Sequence, residues 1–400
     1  MLIDAELNQI KKYPFFAFGV AVIGLVFIVA IFGSFLRPDS SRYASTQHRT
    51  LSKLPPLTTI TFLRVRKNIP SSDKSFKSRV RIGGVESDWA YFPYESIELG
   101  KKYIKLEFKG RQKEFYYADV LYLLDPLTLK SISKNLGSAL NFIDIDNNLI
   151  SVSHNEIQSQ VEKEAFISKS FILGTDALGR DVLSRLMAGS SISLSIGFFA
   201  VIGSVLLGLI IGLFAGYFGG VVDQFLSWCI NLFWSIPAIL LVVAVTIALG
   251  TGATALIIGV SLVLWVEMAQ VVRYTVRSIR LKDFVKALRL MGLSHLTIVF
   301  RHILPNLYGP IAVLASTSFA DAVMLEAGLS FLGIGVEPPQ PTWGNMIRDS
   351  YGYIITGDSA FLAIIPSIAL ILLILSFVFV SNGLKDLMGL EYDQSQRGSV

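Results

Sequence analysis

Two acids stand inside long apolar runs of this 400-residue chain, Glu267 and Asp321. An ionisable group in a hydrocarbon environment is costly, so each is a candidate for lining a translocation path or binding a cation. Interhelical hydrogen bonding is the competing use for Asp321, and a position near a helix end is the competing use for Glu267. A second charged group, Asp176, Arg180, Asp181 and Arg185, has the residue types of a catalytic cluster. Its place just before an apolar run fits a salt-bridge network that fixes the entry of a helix. The four histidines, His48, His154, His295 and His302, are too scattered for a metal site, and Cys229 is the only cysteine. No Gly-Lys pair is followed by Ser or Thr, so the chain has no P-loop with which to cradle a nucleotide phosphate. Residues 282–305 are basic, amphipathic and short, and lie between two apolar runs. Phe284, Leu288 and Met291 recur there at helical spacing and offer one apolar face to a groove in a partner. Gly292 permits a sharp turn, and Pro305 ends a second short helix and starts the next apolar run.

The elements that must position these residues are membrane spans. The chain is 52% hydrophobic and only 16% charged, with a mean hydropathy of +0.57. A soluble domain carries about 25% charged residues. Spans are predicted at Phe15–Leu36, Ser190–Tyr217, Phe225–Leu249, Ala253–Val272, Leu307–Met324 and Phe361–Val380. The first lacks a small-residue cleavage site and reads as a retained anchor. Lys11 and Lys12 precede it and place the N-terminus in the cytoplasm. The same rule puts the basic stretch with Arg273, Arg277, Arg280, Lys282, Lys286, Arg289 and Arg301 inside, and an even number of crossings returns the C-terminus to the cytoplasm. The net charge of +5 therefore reports topology rather than nucleic-acid binding. Gly208, Gly212 and Gly216 repeat every four residues and suit close helix packing.

Residues 39–170 form a polar insertion on the outer side. Thr58–Val65, Ser78–Ile82 and Tyr103–Phe108 have strand-like patterns, Lys109-Gly110-Arg111 can turn into Phe115-Tyr116-Tyr117, and Ser151–Ser168 has a helical pattern. The divisions are 1–38 for the N-terminus and first span, 39–170 for the insertion, 171–388 for the remaining spans, and 389–400 for a cytoplasmic tail.

Three blocks then carry a resemblance. Leu173-Gly174-Thr175-Asp176-Ala177-Leu178-Gly179-Arg180-Asp181, the run from Leu325 through Glu326 and Gly333 to Met346, and Asn382-Gly383-Leu384-Lys385-Asp386 resemble ABC-importer permeases of the dipeptide/oligopeptide/nickel group, as their second, C-type permease subunit. The insertion is outside the resemblance. Within the basic stretch, Phe284, Lys286, Ala287, Leu288, Met291, Gly292, His302 and Pro305 are similar to the coupling loop of such permeases, except that Lys286 replaces the family's glutamate and Leu288 its second alanine. The resemblance implies an all-α, six-transmembrane-helix type I importer permease, to which the strand-like patterns of 39–170 add a β-rich extracytoplasmic insertion between the first two helices. It implies a multi-pass protein of the cytoplasmic (inner) membrane that is not itself an enzyme and binds no cofactor. ATP and Mg would be bound by two separate ATPase subunits. A second homologous permease and an extracytoplasmic substrate-binding protein complete the expected assembly, and peptides are the expected cargo. A nickel or other solute permease, an ion-gradient-driven transporter using Asp321 and Glu267, and a signalling protein that senses through the insertion are the alternatives.

Overall fold

The structure is a computed structural model and describes residues 13–67, 84–100, 103–124, 139–143 and 149–388. The expected strand Ser78–Ile82 and the tail 389–400 lie outside the described residues. Contacts divide the chain into two units, Met1–Gly33 with Leu186–Val400, and Ser34–Arg185.

Helix α1, Pro14–Leu36, is apolar along its whole length, and Gly19 and Gly33 alone of its residues are buried, as suits a lipid-facing span. Its Gly19 lies so close to a later helix that a Cβ there would stand 2.6 Å from the Ser376 carbonyl oxygen.

The unit 34–185 is built on strands β1 (Thr58–Arg66), β2 (Trp89–Pro93), β3 (Ser96–Leu99), β4 (Tyr103–Phe108) and β5 (Arg111–Tyr116), then helix α2 (Tyr117–Leu121), strands β6 (Ala139–Ile143) and β7 (Leu149–Ser153), helix α3 (His154–Glu164) and strand β8 (Phe166–Phe171). Among the described residues, three antiparallel sheets result, ordered β2-β1-β8, β3-β4-β5 and β6-β7. Strand β1 is central and covered on both faces. Leu63 and Val65 join Ile104, Leu106, Tyr117, Ile157 and Val161 in one core, and Phe62 on the opposite face joins Leu51, Phe108 and Phe171 in another. Alternate side chains of a strand point to opposite faces, so a strand buried on both faces loses the polar half of its alternation. Lys109 and Gly110 take positive φ at the β4–β5 turn, as the sequence suggests. Two expectations change. The helix read over Ser151–Ser168 covers only His154–Glu164 and has strands on either side, and Tyr117 starts α2 instead of continuing a strand.

The other spans are α4 (Val182–Phe218), the pair α5 (Gly220–Trp234) and α6 (Ala238–Leu249), α7 (Ala253–Arg280), a helical run ending in α10 (below), and a last long helix. Among the described residues, five helices are individually long and apolar enough to cross a membrane, and the α5/α6 pair makes up to six. The predicted straight span Phe225–Leu249 is instead bent by 88° at Ser235-Ile236-Pro237. Proline supplies no N–H to the preceding turn and clashes with its carbonyl, so the helix breaks there. Between α7 and α10 come the short helices α8 (Asp283–Leu290) and α9 (His295–Ile298). Then α10 (Tyr308–Phe331), α11 (Trp343–Ser350), α12 (Gly352–Thr356) and α13 (Phe361–Leu387) complete the chain.

The glycine repeat has a definite partner. A Cβ on Gly208, Gly212 or Gly216 would stand 2.5 Å from Met268 Cβ, 2.6 Å from the Ala269 oxygen and 2.6 Å from the Arg273 oxygen respectively. The α4 backbone therefore lies against α7 over two turns. Next to this seam Asp223 of α5 takes a two-pronged ion pair from the Arg273 guanidinium, with Nη2 to Oδ2 at 3.0 Å. Replacing Gly212 by Leu should force these helices apart at a cost of about 1–3 kcal/mol, seen as a lower unfolding midpoint in detergent. Gly328→Ala, where nothing lies within 4 Å, should leave the midpoint unchanged or slightly raised. Equal midpoints for the two variants would contradict the close seam.

Candidate functional site

The segment between α7 and α10 folds as a helical hairpin. Asp283 lies in the first turn of α8 and Arg289 in the last, each at the end the helix dipole favours. The helix then stops at Gly292, whose φ of +78° is open to glycine without strain. The Leu293 N–H donates to the Leu288 oxygen at 3.3 Å and the Gly292 N–H to the Arg289 oxygen at 3.0 Å. Those two bonds form a Schellman stop. Ser294 caps α9 through the Thr297 N–H at 3.2 Å. The chain widens through a π turn, Val299–Ile303, tightens through a 3-10 turn, Leu304–Leu307, and enters α10. Pro305 was expected to end the second helix. It sits in the first turn of the 3-10 segment, and helical backbone runs on from His295 to Phe331.

The hairpin has two faces. Val285, Leu288, Leu293 and Ile298 pack inward against Val276 and Ile279 of α7. Phe284, Leu290, Met291, Leu296 and Phe300 are exposed, Leu290 by 90%. Leu288 therefore belongs to the inner face rather than to the docking face read from the sequence, and Leu290 takes its place. Packing of Val285 and Leu288 against α7 decides which stripe of α8 is covered. Ala287 and Lys286 are exposed, and the Lys286 ammonium pairs with Asp283 at 2.9 Å. That ammonium holds the Asp283 carboxyl below the usual carboxylate range. His302 is half-buried, and its carbonyl accepts from Asn306 Nδ2 at 2.6 Å.

Tyr217, near the end of α4, was not singled out in the sequence. Its hydroxyl lies 2.8 Å from His295 Nδ1, and the Arg289 guanidinium stacks over its ring at 5.1 Å. Tyr217 is buried. One aromatic side chain thus holds both arms of the hairpin to the helix that the glycine seam locks onto α7. A tyrosine at the end of an apolar run is a common interfacial residue, so sequence alone carries no signal for this contact.

The span acids fall in mid-helix. Because α7 continues to Arg280, Glu267 lies near its middle and not near an end, and its side chain is exposed. Asp321 is half-buried in the middle of α10. Asp321 on α10 and Lys385 on α13 both lie within electrostatic reach of Glu267. Glu326, by contrast, is fully buried and accepts from Ser193 of α4 at 2.9 Å and from Ser330 at 2.7 Å. Around it Trp343 Nε1 donates to the Leu186 oxygen at 3.0 Å, and Asn345 Nδ2 donates to the Val336 oxygen at 2.7 Å. Gly333 takes a φ of +86° at the end of α10. This block is a polar joint between helices.

In the other unit, Gly174 and Gly179 take positive φ around Asp176. Asp176 accepts the N–H groups of Leu178 and Arg180 at 2.9 Å and pairs with the Arg180 and Arg185 guanidiniums at 2.6 and 3.5 Å. Asp181 turns away from that network and accepts from the Ser184 N–H at 2.9 Å and from the Ser184 hydroxyl.

Tyr217→Phe keeps the ring and removes the hydrogen bond, worth about 1 kcal/mol. Amide hydrogen exchange across 293–298 should rise about fivefold. Unchanged exchange would mean that this bond does not hold the hairpin.

Residues 208–389 match the family described as binding-protein-dependent transport system inner membrane component. The chain is 35% identical over 213 residues to the dipeptide transport system permease protein DppC of Alkalihalophilus pseudofirmus, covering 53% of this chain and 69% of that protein. It is 34% identical over 219 residues to the glutathione transport system permease protein GsiD of Pectobacterium atrosepticum, covering 55% and 72%. Among solved structures it is similar to the inward-facing MetNI methionine ABC transporter, with 21% identity, a TM-score of 0.42, and 52% and 95% of the two chains covered. From its long matched relatives, the chain belongs to the family of inner membrane components of binding-protein-dependent transport systems.

Proposed function

We propose that this chain is the membrane permease subunit of an ATP-driven importer of short peptides, and that ATP is hydrolysed by separate subunits docked on the hairpin 283–298. The observation that carries the reading is the exposed set Phe284, Leu290, Met291 and Leu296 on a hairpin firmly joined to two spans. An apolar set this exposed on a short, well-capped element fits a partner groove better than water. The hairpin lies on the cytoplasmic side in this reading, with both termini, because the basic residues from Arg273 to Arg301 concentrate there. Closure of the ATPase subunits would move the hairpin, and the Tyr217 contact would pass that movement to α4.

Peptide cargo rests on the two relatives whose names specify dipeptide and glutathione transport. A second, related permease faces the exposed acidic side of α7 and α10, and a substrate-binding protein delivers cargo from outside. Glu267 and Asp321 then line the path and would receive the peptide's ammonium group. The test is reconstitution of the chain with its companion subunits in vesicles. Uptake of a dipeptide should require ATP and should survive collapse of the proton gradient. Uptake that follows the proton gradient without ATP would overturn the reading.

Two substitutions sharpen it. Asp321→Asn should leave assembly intact and lower the rate of peptide uptake about tenfold, the effect of losing one charge-assisted contact. Unchanged uptake removes Asp321 from the path. Lys286→Glu places two acids at positions 283 and 286 on the docking face and should lower the ratio of peptide carried to ATP hydrolysed. An equal or higher ratio would put position 286 outside the contact.

A further inference from the structure

A cavity of about 210 Å³ lies wholly within the unit 34–185. Its wall comes from the loop before β1, from Ser87 and β2, from β8, and from Asp181. The residues that matter are Asp39, Thr46, His48, Tyr91, Lys169 and Asp181. The space suits a small solute rather than a drug-sized one.

The charges in this wall are arranged unevenly. The carboxylates are held by local donors. Asp39 Oδ1 accepts from the Ser41 N–H and the Thr46 hydroxyl, both at 2.9 Å, and its Oδ2 from the Thr46 N–H at 3.1 Å. Asp181 is 6% exposed and is held by Ser184. The cation has no such partner. Lys169 on β8 rests its ammonium over the Tyr91 ring, 3.3 Å from the ring centre, and makes no hydrogen bond or close ion pair among the described residues. The His48 ring packs against Phe62 and Tyr91, and its nitrogens also have no hydrogen-bond partner among the described residues. Burial, reinforced by the charge of Lys169, pushes His48 down to about 4, so the ring is neutral at pH 7. Burial also lowers Lys169 and raises Asp181.

Lys169 is half-buried, and an ammonium resting on an aromatic face with its donors open toward a cavity favours an anion or water that reaches it. Two rigid carboxylates beyond direct pairing distance would repel a simple anion. A ligand with both signs answers the open donors of Lys169 and His48 and is not repelled by the two carboxylates. We propose that this cavity is a binding site for a small amine-carboxylate zwitterion, a free amino acid or dipeptide, with its carboxylate on Lys169 and the His48 N–H and its ammonium toward Asp39 and Asp181. The site is separate from the acids of the helical unit, and its occupancy does not depend on the import reading.

The experiment is calorimetric titration of the full-length protein in detergent with L-alanyl-L-alanine and, in parallel, L-alanine. Binding should be detectable at concentrations up to roughly 10 mM. It should weaken about tenfold for N-acetyl-alanyl-alanine, which lacks the ammonium, and for alanyl-alanine amide, which lacks the carboxylate. It should weaken likewise in Lys169→Met, which leaves the acids of the helical unit untouched and so separates this cavity from a path through the helices. The blocked ligands need no variant, so the test stands even where Lys169→Met folds poorly. Stronger binding of one titrant tells amino acid from dipeptide within the proposal. Absence of binding by both titrants, equal binding of the blocked ligands, or full retention of binding in a folded Lys169→Met overturns it. A cavity filled only by water bridging Lys169 to the two carboxylates gives the first of these results.

Discussion

The structure depends on one close contact, the α4 backbone laid against α7 along Gly208, Gly212 and Gly216. In lipid no hydrophobic force drives helices together, because tails solvate leucine as well as another helix does. Close backbone approach supplies dispersion contacts that side chains alone would hold apart. The seam also makes α4 and α7 move as one body. Helix α7 leads directly into the hairpin through Leu281 and Lys282, and α4 reaches it through Tyr217. Two independent attachments to a locked helix pair turn a surface hairpin into a lever.

The polar groups in the helical unit divide by environment. Glu326 is enclosed and answered by serine hydroxyls, which is the condition of a structural joint. Glu267 is open and has an acid and a lysine within electrostatic reach. Similar side chains in similar helices therefore do different work, and the hydrogen-bond partners separate them. The Asp223–Arg273 pair stands between these cases, two charges that satisfy each other beside the seam.

Much of this was legible in the residues. Apolar length located the spans, and strand-like residue patterns located β1 and β4. Gly292 announced its turn because few other residues tolerate that backbone. The limits have physical causes. Hydropathy averages over a window and does not register the 88° bend at Pro237. The stretch 151–168 mixes a short helix with strand ends, and periodicity cannot separate pieces that short. Leu288 was placed on the docking face because helical spacing counts only its own helix, whereas packing against α7 decides which stripe is covered. Tyr217, Arg289 and Ser193 act through partners far away in the chain, and one sequence carries no record of such pairs. The family resemblance marked the Glu326 and Asp176 blocks without explaining them. Their buried hydrogen bonds do so.

The central claim is that the exposed hairpin face presses into an ATP-hydrolysing partner. The most direct measurement attaches a photo-reactive group at Leu290→Cys, with Cys229→Ser to remove the native thiol, in membranes holding the assembled system. The same group at Leu206→Cys, exposed on α4 in the span, serves as the comparison. The account predicts an adduct with the ATPase subunit from position 290 and lipid adducts alone from position 206. Lipid adducts alone from both positions would contradict it.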